Sequence, residues 1–357
     1  MDLEVKRDDL RTVRTVDRGV PEADDGQALL HVSRFALTAN NVTYAVVGEA
    51  MSYWKFFPAD EGWGRVPVWG YADVEASRVD GLSEGERVYG YLPMSSHLVV
   101  TPTRVSDGAL FDASSHRAEL PPAYNQYQRV TGAPDYDPAR EREYAMLRPL
   151  FVTSFLLDDW LDDNQFFGGR SVVLASASSK TALGLAFLLS SREGVDVVGL
   201  TSGSNASFVS SIGYYDRVVT YDDVVALPND VPTVFVDMAG GGRVLASVHR
   251  HLGASLAHSC LVGITHWEDD RPDEEVPGPT PTFFFAPDQL VKRRADWGAG
   301  GVESRTETAW QGFLASVDRW LTIDEHLGFE AIAPTWLDVV DGASAPNIGH
   351  VVTLDGS

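Results

Sequence analysis

Between Ser171 and Leu189 the sequence reads SVVLASASSKTALGLAFLL: an apolar run, a turn of Ser and Ala, then apolar residues at helical spacing. Side chains this small let a backbone approach a ligand closely, and the amides at the start of a following helix attract a diphosphate. Ser176, Ser179 and Ala182 fall at the three spaced positions where a dinucleotide fingerprint usually carries glycine, giving S-x-x-S-x-x-A. Ser178, Ser179 and Thr181 add hydroxyl donors, and Lys180 adds a cation. The same residues also read as a plain turn capped by Ser. A third reading is a phosphate loop for ATP, since SSKT resembles the GKT ending, but the upstream glycines of that motif are absent.

The following strand, VDVVGLTS (195–202), bears on the choice of nucleotide. An Asp or Glu at its end holds the ribose 2′-hydroxyl in proteins that prefer NAD. This strand ends in Gly199, Leu200, Thr201 and Ser202; Asp196 lies at its start, and no further acid occurs before Asp216. Thr201, Ser202 and Asn205 can instead donate to a 2′-phosphate, with Lys180 supplying charge from the neighbouring loop, which points to NADP(H). No Arg follows Ser202 closely, and Thr201 to Asn205 also read as a simple polar turn.

A second group lies near the start of the chain, in NNVTY: Asn40, Asn41 and Tyr44, followed by Tyr53 and Trp54. A phenol can donate a proton and an amide can orient a substrate carbonyl. Tyr44 is the candidate proton donor or substrate anchor, and Asn40 or Asn41 the candidate orienter. Tyr53, Trp54, Phe56 and Phe57 could wall an aromatic pocket. Arg117, beside His116, could bind an anionic substrate group, and Phe284 could cover a nicotinamide. Each has a plainer reading: Tyr44, Phe284 and the aromatics as core, the Asn pair as a helix cap, and Arg117 in a surface ion pair.

The elements that must position these groups follow from periodicity. QALLHVSRF (27–35) reads as a strand, and 66–100 as short strands broken by Gly, Pro and Ser, a barrel-like β domain. Residues 111–145 read as an irregular excursion. From 146 the pattern changes to a helix (146–163), then strands at 171–176, 195–202, 217–221, 233–240 and 259–266 alternating with helices. That alternation predicts βαβ units and a parallel sheet covered on both faces. Residues 306–321 read as an amphipathic helix, 349–354 as a closing strand, and WEDDRPDEEVPGPTP as an exposed loop.

The length, 357 residues, predicts two domains. A net charge of −23 repels nucleic-acid backbones and anionic membranes, so neither is an expected partner. The charged opening MDLEVKRDDL is no secretory signal and no apolar run is long enough to span a bilayer, so the expectation is a cytoplasmic protein. The single Cys260, read as a small apolar filler, rules out an intrachain disulfide and a multi-cysteine zinc site. The nine His form no HxxxH or HxH pair on an evident element, and His249 and His251 read as a surface helix end, so no metal is expected.

With these segments in view, the chain resembles the medium-chain dehydrogenase/reductase superfamily, in its zinc-free quinone-oxidoreductase-like branch, and more closely a bacterial family of quinone-reductase-like proteins. GQALLHVSRFALTANNVTYAVVGE (26–49) is similar to the opening of that superfamily's GroES-like domain, and SEGERVYGY (83–91) to its GDRV turn. SVVLASASSKTALGLAFLL is similar to its nucleotide loop, and SFVSSIGYYDRVVTYDD to the segment after its second strand. VFVDMAGGG (234–242) is similar to the strand that ends by the nicotinamide, and FFFAPDQLVKR (283–293) to the segment that returns to the catalytic domain. The nucleotide loop departs by carrying Ser and Ala for Gly, the zinc ligands of the alcohol-dehydrogenase branch have no counterparts, and residues 50–65 and 110–145 do not fit the pattern.

The resemblance implies a GroES-like catalytic domain (1–145), a Rossmann NADP-binding domain (146–285) and a segment returning to the catalytic domain (286–357). It adds Tyr215 and Gly240 to the cofactor-binding residues and implies a branch often dimeric through its nucleotide domains, so a homodimer is among the expectations. The expected activity is NADPH-dependent, zinc-independent reduction of a carbonyl or activated carbon–carbon double bond in a small molecule. The alternatives are a redox-neutral reaction on bound NADP(H) and a non-catalytic protein that senses redox state or assists assembly.

Overall fold

The structure, a computed structural model, describes residues 1–133, 136–263, 276–298 and 300–354. The chain divides into two compact units: Met1–Met146 with Thr322–Ser357, and Leu147–Leu321.

The first unit is built on a nine-stranded sheet. Its order runs Thr322–Leu327, Ile348–Thr353, Ala28–Leu37, Pro67–Ser77, Arg87–Pro93, Gln126–Arg129, Ala109–Asp112 and Pro102–Val105, with His97–Val100 also paired to Ala28–Leu37. A smaller sheet joins Asp9–Val16, Asp2–Lys6 and Trp63–Gly64. Leu30, Val32, Phe35, Val68, Ala72, Val88 and Leu92 are buried between these strands, which is the driving force for closing them on one another. The excursion expected at 111–145 is more ordered than its composition suggests. Gln126–Arg129 pairs with strands on both sides and buries the Tyr127 ring completely. QYQR has one apolar side chain in four, too few to show a period of two.

The second unit holds a six-stranded sheet, all parallel, in the order Arg217–Thr220, Asp196–Thr201, Ser171–Ala175, Thr233–Asp237, Leu256–Leu261, Thr282–Phe283. The chain-first strand lies in the middle and the order reverses beside it, the arrangement of a doubly wound dinucleotide fold. Ser171–Ala175 and Thr233–Asp237 are buried at every residue, as strands covered on both faces must be. The fifth strand begins at Leu256, earlier than the expected 259, because Leu256 is itself buried. Residues 264–266 of that expected strand, and 267–275 of the expected acidic loop, lie outside the described residues.

The helix Glu141–Asp163 starts five residues before the expected 146. Against it packs the helix Lys180–Leu189, closely enough that a Cβ on Gly184 would stand 2.8 Å from Ser154 Oγ. That hydroxyl donates to Leu150 O and to Thr181 O. The helices Ala286–Trp297 and Gly301–Val317 stay in the second unit, whereas the sequence reading places them in the returning segment. Arg293 pairs with Asp159 at 2.6 Å, and Phe313 stacks on Phe151 at 4.9 Å. The chain re-enters the first unit at Thr322. His249 is buried rather than at a surface helix end: its ring nitrogens meet Ser259 Oγ at 2.8 Å and Pro277 O at 2.9 Å. No described helix is long and apolar enough to cross a membrane.

Candidate functional site

The small-residue turn leaves the central strand at Ala175 and enters the helix at Lys180. Ser176 takes φ +53°, the left-handed region that favours glycine. Its amide donates to Tyr221 Oη at 3.0 Å, and its carbonyl accepts from Ser179 N at 2.8 Å. Ser179 is the N-cap, its hydroxyl accepting from Ala182 N. Thr181 belongs to the first turn, where the helix ladder itself leaves amides over; the Ser179 cap takes that of Ala182. Lys180 is half-buried, and desolvation lowers its ammonium from 10.5 to about 8.

The residues expected at the 2′-phosphate separate into two groups. Asn205 Nδ2 donates to Ser178 Oγ at 3.1 Å, and Ser202 Oγ meets Ser204 Oγ at 2.9 Å. These four form a polar patch beside the loop. Thr201 does not join them. It is 1% exposed, because the last strand residue faces the interior, so its expected role as a phosphate donor is corrected. Tyr215 donates to Ala177 O at 2.7 Å, and its ring covers Gly199, where a Cβ would stand 3.0 Å from it. It therefore buttresses the loop from behind. Gly240 has φ +72° and its amide donates to Asp237 Oδ1 at 2.9 Å. Phe284 is buried, 5.5 Å from the Trp160 ring, and acts as core at the end of the sheet. Cys260 is buried, as expected of a filler, and burial moves its thiol up to about 12.

In the first unit the helix Ala39–Val46 carries NNVTY. Asn41 is a capping residue: Oδ1 accepts from Thr38 N at 2.7 Å and Nδ2 donates to Pro67 O at 2.8 Å. Its amide is spent on the fold, which corrects its candidacy as a substrate orienter. Asn40 is half-buried and lies one turn before Tyr44 on the same helix. Tyr44 is buried, and Trp69 Nε1 donates to its oxygen at 3.3 Å. Burial raises its pKa. The rings of Tyr53, Tyr91 and Tyr124 lie 4.7, 5.5 and 6.4 Å from that of Tyr44. Tyr53 Oη and Tyr124 Oη are 3.1 Å apart, and burial raises the pKa of both phenols.

Phe56 and Phe57 are core rather than pocket wall, both essentially unexposed. Trp54 is 3% exposed, yet its edge lines a cavity of about 360 Å³ with Arg7, Glu49, Lys55 and His116. Arg117 is fully buried, so neither its expected substrate role nor a surface pair applies. It stands 3.2 Å from Asp112, donates to Phe56 O and Tyr127 Oη, and lies 4.7 Å from the Phe57 ring centre. A buried cation must be neutralised where it sits, and Asp112 does this.

Sequence reasoning passed over Tyr221, Ser204, Trp69, Tyr91 and Tyr124. Tyr221 had a visible signal, an aromatic hydroxyl ending the third strand. Ser204 lies in the same turn as Ser202 and was equally visible; Trp69, Tyr91 and Tyr124 are recognisable only once distant segments are brought together.

The chain belongs to a family of proteins of unknown function, DUF2855, whose model matches residues 35–345. No curated protein matches the sequence. Among solved structures the chain is similar to CurA from Vibrio vulnificus, at 15% identity and TM-score 0.61 over 97% of this chain and 94% of that one. CurA in complex with NADPH gives 15% and 0.60 over the same shares. The yhdH oxidoreductase from Salmonella enterica in complex with NADP gives 13% and 0.55, over 96% and 95%. Likeness at this identity shows the fold: a doubly wound parallel α/β sheet in one unit and a β-rich sheet in the other.

Proposed function

We propose that this member of the DUF2855 family binds NADP(H) at the loop Ser176–Thr181 and reduces a carbonyl or activated carbon–carbon double bond, quinone- or enone-like, without zinc. One observation carries the reading: a turn of small residues, opening a helix with Lys180 at its first position, lies where the strand order of a parallel sheet reverses. Ligands of open α/β sheets bind at that place. The complexes of CurA with NADPH and of yhdH with NADP support it. Lys180, Ser178 and Asn205 hold the phosphates, and Ser202 contributes a hydroxyl. The bound nucleotide supplies the hydride.

Tyr44 is the proton donor in this reading. Trp69 Nε1 donates to its oxygen, so this contact uses a lone pair of the phenol and not its hydrogen. Burial keeps the phenol protonated through the neutral range, as a donor to a developing oxyanion must be. The protein acts in the cytoplasm on a small molecule. A second reading, nucleotide binding without net reduction, is favoured by the commitment of Asn41 and Arg117 to the fold.

Titration with NADPH and NADP⁺, followed by tryptophan fluorescence, tests the binding. Loss of NADPH absorbance with quinones, enones and aldehydes tests the reaction. Tyr44→Phe should lower kcat by about 10²-fold with nucleotide affinity unchanged. Failure to respond to either nucleotide sinks both readings; binding without consumption leaves the second; full turnover of Tyr44→Phe removes Tyr44 as donor.

A further inference from the structure

The strand Thr322–Leu327 lies at the end of the nine-stranded sheet and pairs in parallel with Ile348–Thr353. Side chains alternate along a strand, so Asp324 and His326 share one face. Glu325 points to the other, where it accepts from Arg34, Arg142 and Thr353. His350 is the register partner of Asp324. The alternation and the register together bring three donor atoms to one spot. His326 Nε2 is 3.0 Å from His350 Nδ1 and 3.6 Å from Asp324 Oδ2, and the last two are 4.0 Å apart.

We propose that Asp324, His326 and His350 form a binding site for one divalent first-row transition cation, with Zn²⁺ the best match. A point equidistant from three atoms with those separations lies about 2.1 Å from each, the bond length of Zn²⁺ to imidazole nitrogen and carboxylate oxygen. Two imidazoles and one carboxylate are the ligand types that zinc, cobalt and nickel share. Calcium and magnesium, which take oxygen ligands, do not suit the two nitrogens.

The surroundings orient the ligands. Ser344 Oγ lies at hydrogen-bond distance from His350 Nε2. With Nε2–H donating to that hydroxyl, the lone pair sits on Nδ1, which faces the site; an outer partner that fixes the tautomer in this way is characteristic of metal-bound imidazole. Asp324 is more than half exposed, so water reaches the site and completes the coordination.

The sequence reading expected no metal, because it sought His pairs on one element. Here the second His comes 24 residues later, on a neighbouring strand. The bound ion would clip the edge strand Thr322–Leu327 to its neighbour and, through Ser344, to the turn that precedes Ile348.

The test is titration of the metal-free full chain with CoCl₂, read by visible absorption, followed by displacement with ZnCl₂ and by thermal unfolding. One equivalent of Co²⁺ should bind with a ligand-field band that Zn²⁺ abolishes, and Zn²⁺ should raise Tm, since an ion that binds only the folded chain stabilises it. His326→Gln and His350→Gln should each weaken binding by more than tenfold and lose the Tm rise; Ser344→Ala should weaken it by about tenfold. Unchanged far-UV circular dichroism and metal-free Tm in His326→Gln, whose side chain is partly exposed, establishes that the variant is folded. Absence of saturable binding overturns the proposal. Equal binding by wild type and both His variants also overturns it, by placing the ion elsewhere.

Discussion

Lys180 makes the nucleotide reading testable through pH alone. Its ammonium is lowered from 10.5 to about 8 by desolvation. A phosphate placed against it restores the charged form, because an opposite charge favours ionisation. The free protein then binds best while Lys180 is protonated. With a pKa of about 8, roughly nine-tenths is charged at pH 7 and roughly one-tenth at pH 9, so Kd for NADPH should rise about tenfold across that interval, about 1.4 kcal/mol. Binding at pH 8.5 should take up about three-quarters of a proton, measurable by calorimetry in two buffers of different ionisation heat. In Lys180→Ala the affinity should be lower and flat from pH 7 to 9. NADH separates the two phosphate positions: a flat NADH profile puts Lys180 at the 2′-phosphate, a parallel decline puts it at the diphosphate. The stability of the nucleotide-free chain has its own sign. The folded state binds fewer protons than the unfolded one between pH 8 and 10.5, so the Lys180 contribution should grow more favourable as pH rises through that window. A wild-type Kd that does not change between pH 7 and 9, or a decline that persists in Lys180→Ala, refutes the reasoning.

Arg117→Leu strands Asp112 in the core without its cation and should cost about 3–5 kcal/mol in urea unfolding; a loss under about 1 kcal/mol would show that Asp112 is satisfied by Thr101, Ser114 and their amides alone. Gly184→Val drives a branched side chain into Ser154 and should lower stability by about 1–3 kcal/mol; an unchanged Tm would mean that the helices Glu141–Asp163 and Lys180–Leu189 can separate freely.

The second unit was largely legible because its signals are local. VVLA, VVGL and VFV are apolar runs short enough for strands, the intervening segments carry helical spacing, and the order of types implies a parallel sheet. What failed were readings that depend on which groups share a place. Arg117 looked like a surface cation because nothing in SHRAEL says that Asp112 and Tyr127 will close around it. Asn41 looked catalytic because its amide's partners, Thr38 and Pro67, come from a turn and from another strand. Thr201 looked like a donor beside Ser202, but Thr201 is still inside a strand that is buried from Val197 onward, whereas Ser202 lies beyond its end.

The loop itself shows how strain adds to composition. Read as letters, S-x-x-S-x-x-A is a weak fingerprint, because Ser is common in turns. In the structure Ser176 occupies the left-handed region, which disfavours a residue with a Cβ by about 1–2 kcal/mol. A capped turn has no need of that conformation. It is held by two specific bonds, the Ser176 amide to Tyr221 and the Ser179 amide to the Ser176 carbonyl. Backbone strain that the surrounding structure enforces tends to collect at binding sites. The Ser at a glycine position, which as sequence weakens the case for a nucleotide loop, strengthens it as structure: the chain adopts the glycine geometry without the glycine, and it does so where the strand order reverses, the place at which open α/β sheets generally bind their ligands.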